Sequence, residues 1–190
     1  MNQIVRIKGT GGLDQLITIS ALTIDCMADV RYLHARAFKA TAPAYFTDDE
    51  IGVFLDHINT QAYSDAIVKA VPAGNVFGAR IDRELVATAG WDYGVARGSP
   101  AKLRWVFVNP MFQGQGIGRR MVSNVELDAM CAGYEAMSAR VLPTLSDFLG
   151  QLGYAETGRS AERFEKSTLL STHILKKRLM HSAINHLTRH

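Results

Sequence analysis

The feature that most narrows what this chain can fold into is a set of three glycines in five residues, Gly114, Gly116 and Gly118, between two segments of different periodicity. Before it, Lys102–Val108 alternates, with Leu103, Trp105 and Phe107 on one face and Arg104, Val106 and Val108 on the other, until Asn109-Pro110 ends the strand. After it, Ile117, Met121, Val125 and Ala129 recur every four residues. That spacing predicts a helix from Gly116 to Ala132, stopped by Gly133. A strand passing through such a turn into a helix leaves the first helical N–H groups without internal partners, at the positive end of the helix dipole. Glycines let the main chain approach an anion closely. The segment therefore predicts a phosphate cradle. Two common cradles are excluded by named residues. A P-loop ends in Gly-Lys-Ser/Thr, where this chain has Gly118-Arg119-Arg120. A dinucleotide fingerprint counted from Gly114 would need glycine where Arg119 stands.

The remaining segments place this turn inside a mixed fold. Ile4–Lys8 reads as a strand ending at Gly11-Gly12, and Ala21 to Ala40 as a helix with Met27, Val30, Leu33, His34 and Phe38 on one stripe. On that stripe His34 reads as a satisfied core residue. Thr47-Asp48-Asp49-Glu50 has the form of a capping box before a helix carrying Ile51, Phe54, Leu55 and Ile58. Val76–Ile81 and Leu85–Trp91 form a hairpin about Asp82-Arg83-Glu84. Beyond the glycine turn come a strand at Glu135–Val141, a short helix at Leu145–Leu152 closed by Gly153, and two strands, one from Tyr154 and one at Thr168–Leu175. Strands alternating with helices imply an α/β (α+β) fold around one central sheet.

With 190 residues, 47% hydrophobic and 21% charged, the chain matches a single globular domain. No run of about 18 apolar residues is present, and Met1-Asn2-Gln3-Ile4-Val5-Arg6 lacks a signal-peptide layout. The expectation is a cytoplasmic protein that does not engage a membrane. Cys26 and Cys131 are expected to be reduced, partly buried thiols, and no pattern suggests a metal site. Charge is uneven. Lys166, Lys176, Lys177, Arg178 and Arg189 face no acidic residue after position 166, leaving 16 basic against 18 acidic residues in the body. Leu175, Leu179, Ala183 and Leu187 at four-residue spacing give this tail the look of a docking helix, suited to a homodimer. Nucleic-acid recognition through it would need the aromatic interleaving it lacks.

Gln113, Gly116 and Gly118 fill the pattern Gln-x-x-Gly-x-Gly. Preceded by Val108-x-Pro110 and followed by Phe148-Leu149-Gly150-Gln151-Leu152-Gly153-Tyr154, this resembles the GCN5-related N-acetyltransferase (GNAT) superfamily over about residues 76–154. The resemblance implies a mostly antiparallel sheet flanked by helices, with its fourth and fifth strands, Lys102–Val108 and Glu135–Val141, splayed apart. Residues 1–165 would form the acyl-CoA-binding unit, and 166–190 the last strand and basic tail of the same domain. Acetyl-CoA would be the acyl donor, with no metal. Its diphosphate would sit on the amides of Gln113, Gly114, Gln115, Gly116, Ile117, Gly118 and Arg119. Its pantetheine arm would lie along Val106, Phe107 and Val108 like an added strand. An amide near Val108 would stabilise the thioester oxygen, and an amine of a small molecule or protein would attack directly. Tyr45 and Phe46 would line the acceptor site.

Three positions depart from the family pattern. Leu149 replaces the tyrosine that usually protonates the leaving thiolate, Lys102 and Arg104 occupy the region of the usual glutamate base, and Leu142 stands near a usual asparagine. Leucine has no proton to donate. Asp92 is the first candidate base, and Tyr93 a candidate proton donor or pocket residue. The alternative is a GNAT-fold module that binds CoA with little or no turnover.

Overall fold

Alternating apolar residues near the N-terminus begin the sheet. The computed structural model describes residues 3–8, 14–96, 98–164 and 168–179. Strand β1 (Gln3–Lys8) pairs antiparallel with β2 (Asp14–Ala21), a strand that replaces the start of the helix expected from Ala21. Its signal is the alternation around Ile17 and Ile19, both buried, and pairing of Ala21 with Phe77 keeps the chain extended to that point. The helix α1 begins only at Met27 (Met27–Thr41), after a single turn of 3-10 helix. The Gly11-Gly12 break lies outside the described residues.

Helix α2 (Asp48–Ile58) starts on the expected capping box: Glu50 N–H donates to Thr47 Oγ1, and Thr47 N–H donates to Glu50 Oε2 at 2.9 Å. The sequence reading passed over helix α3 (Gln61–Ala70). Thr60 caps it, and Tyr63, Ile67 and Ala70 form its buried stripe. The hairpin β3 (Val76–Ile81) and β4 (Glu84–Asp92) leads into β5 (Ala101–Val108), helix α4 (Ile117–Cys131) and β6 (Ala136–Val141). Helix α5 (Pro143–Gln151) begins two residues earlier than expected because Pro143 opens its first turn, where a missing N–H costs nothing. Strands β7 (Ala155–Phe164) and β8 (Thr168–Arg178) finish the described chain.

All eight strands join one sheet, in the order β1-β2-β3-β4-β5-β6-β8-β7, antiparallel except for β5 with β6. Helices α1, α2 and α3 bury one face around Leu33, Phe38, Phe54, Ile67 and Leu170. Helices α4 and α5 bury the other around Met121, Val125, Leu103, Met137 and Leu149. The helical reading of the tail fails at its start. Leu175 and Leu179 are buried at the end of a strand, and Lys177 pairs with Glu126 of α4 at 2.8 Å; Ala183 and Leu187 lie outside the described residues. Cys26 and Cys131 are free, and Cys131 is exposed, not partly buried as expected.

Candidate active site

Parallel pairing of β5 with β6 stops early. Ala101, Lys102 and Leu103 pair with Met137, Ser138 and Ala139, and no ladder follows, so the two strands separate from Arg104 onward. Because β2 precedes them, the splay falls between the fifth and sixth strands of the chain. A cleft of about 560 Å³ fills the gap, within the range of small-molecule sites.

A bulge shapes the β5 wall of this cleft. Thr88 of β4 pairs with Phe107 and Gly90 with Arg104, so Trp105 and Val106 together face only Ala89. Trp105 takes the extra turn with φ of +52°, a left-handed conformation that tryptophan rarely adopts. Its ring lies across Gly90, where a β-carbon would stand 3.0 Å from the indole. The bulge overturns the alternation read from the sequence. Leu103 shares the α4–α5 core with Val106 and Val108, while Trp105 and Phe107 join the α1–α3 core. Lys102 and Arg104 alternate with Leu103, so they lie on the face of Trp105, not of Val106 and Val108. The bulge also resets the main chain. Asn109 N–H donates to Val86 O of β4, so Val108 and Val106 present their amides and carbonyls away from β4, toward the splay.

The glycine turn before α4 borders the cleft. Gly114 and Gly116 have φ of +77° and +78°, and Gly116 caps α4 with no side chain to offer. Helices α2 and α3, by contrast, have Thr47 and Thr60 accepting from their first-turn amides. Among the described residues, no amide from residue 114 to 119 has a hydrogen-bond partner; Arg120 is the first to bond back, to Gly116 O. At Gly118 a β-carbon would lie 3.1 Å from Phe148 and 3.4 Å from Val108, so glycine lets the helix start seat against both walls. Six unpaired amides at a dipole's positive end fit a diphosphate. Gln113 Nε2 donates to Val108 O at 3.2 Å, tying the turn to the strand.

Of the residues singled out in the sequence, Val106, Phe107, Val108, Gln113, Gly114, Gly116, Ile117, Gly118 and Arg119 border the cleft. Gln115 does not; its side chain folds back to Met111 O. Asp92 stands behind the wall, 3.9 Å from Arg104, which does border it. Tyr93 is exposed and leans on Trp91, whose indole donates to Asp128 on the α4 side. Tyr45 is half exposed, and Phe46 packs on Phe38, which itself borders the cleft. Neither Tyr45 nor Phe46 reaches the lining. Leu149 is fully buried, and no tyrosine lines the cleft among the described residues; Tyr154 is enclosed elsewhere, its hydroxyl pushed up by burial.

Arg140 and Glu162 went unread. Both border the cleft, Arg140 from β6 and Glu162 from β7, and Glu162 is the one acidic residue among the described residues of the lining. Their signal was latent in the strand alternation, but it needed the strand order to place them. Behind Phe107 lies a buried polar chain. Tyr63 OH and His34 Nδ1 are 2.7 Å apart, His34 Nε2 and Thr88 Oγ1 are 2.7 Å apart, and Thr88 Oγ1 donates to Trp105 O at 2.8 Å. Burial pulls His34 down to about 3, and the ring stacks on Phe107 at 4.0 Å, so it is the satisfied core histidine expected.

The fold and the cleft together define a groove between two diverging strands with helix-start amides at one end. A family model described as an acetyltransferase (GNAT) domain matches residues 42–170, more than half of the chain, and the protein belongs to that family. No curated protein sequence matches it. Among solved structures it is similar to a GCN5-related N-acetyltransferase from Rhodopseudomonas palustris, with a TM-score of 0.73 and 13% identity over 85% of this chain and 94% of that one. It is also similar to the PaiA N-acetyltransferase of Thermoplasma acidophilum in complex with coenzyme A (TM-score 0.65, 17% identity, 85% and 98% covered). A third likeness is to YncA of Salmonella typhimurium, a putative acetyltransferase with its cofactor acetyl-CoA (TM-score 0.61, 19% identity, 88% and 96% covered). At these identities the likeness is one of fold.

Proposed function

We propose that the protein transfers an acetyl group from acetyl-CoA to an amine by direct attack within a ternary complex. The observation that carries this reading is the uninterrupted run of amides from residue 114 to 119 that have no partner among the described residues, opening onto a splay where β5 pairs with β6 no further than Leu103. The coenzyme supplies an activated acyl thioester. The amides of residues 114–119 hold its diphosphate, and the main-chain groups of Val106 and Val108 pair with its amide-bearing arm. The Val108 amide donates to the carbonyl oxygen where negative charge gathers; such a donor is worth about 2.7–4 kcal/mol of barrier in other enzymes.

The acceptor occupies the end bordered by Phe54, Phe164, Arg104, Arg140 and Glu162. Two guanidinium groups beside one carboxylate favour an amine that also carries an acidic group. Asp92, behind Arg104, and Glu162, on the lining, are the two carboxylates able to receive the amine proton. With no tyrosine on the lining, water protonates the departing thiolate. The buried Leu149 favours a second reading, a module that binds the coenzyme without turnover.

Calorimetry with acetyl-CoA, followed by thiol release over a panel of amines, tests the proposal. Binding with thiol release supports transfer, binding without release on any amine supports the module, and no binding refutes both. Asp92→Asn and Glu162→Gln then identify the base. Only the variant that removes it abolishes the acidic limb of the pH–rate profile, and two unchanged profiles exclude both residues.

A further inference from the structure

The Trp105 bulge decides which main-chain groups of β5 reach the splay, so whatever holds that bulge also sets the coenzyme site. Ahead of the bulge, Ala101 O faces β6, where it accepts from Ser138 Oγ. In a regular strand the same parity would carry Phe107, not Val106 and Val108, toward the splay. The inserted residue reverses the parity, and left-handed backbone at a bulky side chain is strained. Some neighbouring contact must hold it.

The contact is the buried chain behind Phe107. Thr88 has one hydroxyl hydrogen, and it goes to Trp105 O at 2.8 Å. The bond from His34 is therefore donated by Nε2–H to Thr88 Oγ1, which leaves Nδ1 to accept from Tyr63 OH. Every bond in this order has one donor and one acceptor, and every member is buried. Burial keeps the imidazole neutral and raises the Tyr63 hydroxyl, so the proton order is fixed across the ordinary pH range. The three residues come from three different elements, α1, α3 and β4.

We infer that Thr88, oriented by His34 and Tyr63, is a positioning residue: it locks the Trp105 carbonyl and thereby aims the Val106 and Val108 main chain at the arm of the coenzyme. This rests on the acetyl-CoA reading above, and the two are separable by choice of ligand. Acetyl-CoA uses both the β5 edge and the helix-start amides, whereas 3′-phosphoadenosine 5′-diphosphate, which lacks the arm, uses the amides alone.

Calorimetry on Thr88→Val, which removes the hydroxyl with little change of shape, is expected to show acetyl-CoA bound about tenfold or more weaker. Affinity for 3′-phosphoadenosine 5′-diphosphate is expected within about twofold of the parent, and Thr88→Ser is expected to restore acetyl-CoA binding. A Thr88→Val protein that binds both ligands like the parent overturns the inference, as does equal weakening of both in a folded protein. If Thr88→Val does not fold, nitrogen-detected NMR of the parent decides: a neutral His34 protonated at Nε2 supports the chain, and a proton on Nδ1 breaks it. A parent that binds neither ligand refutes the coenzyme reading, and the tautomer still judges the relay.

Discussion

Replacing Gly116 by alanine separates the strain of the helix cap from the binding of an anion. Gly116 sits at φ of +78° and borders the cleft, and a β-carbon there would meet no protein atom within 4 Å. The methyl therefore clashes with nothing in the protein but stands beside the amides of residues 117 and 118. The left-handed conformation costs an alanine roughly 1–2 kcal/mol, to be read from urea melts. Displacing a phosphate oxygen from a single amide loses about 1.5–3 kcal/mol, or roughly ten- to 150-fold in the dissociation constant of coenzyme A. Gly133→Ala supplies the control. It lies at the far end of α4 at φ of +90°, also with nothing within 4 Å, so it carries similar strain and no ligand contact. Titration of both variants with coenzyme A reads the difference. Equal affinities in Gly116→Ala, Gly133→Ala and the parent would falsify the cradle.

Thr47→Ala removes the side-chain half of the α2 capping box, the hydroxyl that accepts from Glu50 N–H, and leaves the Thr47 backbone N–H to donate to Glu50. It should lower stability by about 1 kcal/mol in urea melts without changing coenzyme affinity, and an unchanged midpoint would contradict the cap. His34 makes stability depend on pH in a definite direction. An ordinary histidine takes up a proton near 6.5 and this one only near 3, so the unfolded chain binds more protons in between. The His34 contribution should fall as pH drops below 6.5, by about 1.4 kcal/mol per unit. Melts at pH 6.5, 6.0, 5.5 and 5.0, ahead of most carboxylate titration, check this against His34→Gln, which should remove the slope. A parent with the same slope as that variant would refute the assignment.

How far the sequence could be read depended on whether a signal was local. The glycine turn and the helix behind it were legible because glycine spacing and helix period lie within one short segment, and the Thr47 box likewise. His34 was placed correctly because an apolar stripe surrounds it. Trp105 was not, since nothing in Leu103-Arg104-Trp105-Val106 marks an inserted residue. The bulge exists only because Thr88 and Gly90 of another strand pair one residue out of step with each other. Arg140 and Glu162 come together through a strand order that places β8 between β6 and β7, a non-local fact. The tail misled for a related reason. Apolar residues four apart satisfy both a helix and the same face of a strand, as Leu175 and Leu179 show.

The short seam between β5 and β6 has a mechanical consequence. Three residue pairs are all that stitch the first five strands to the last three, apart from helix packing. The main-chain ladder is thus narrowest at the seam, and the two cores packed across it carry the rest of the join between the half-sheets. Local opening should start where the ladder is narrowest, where amide exchange would report it, and an arm laid across the gap should slow it.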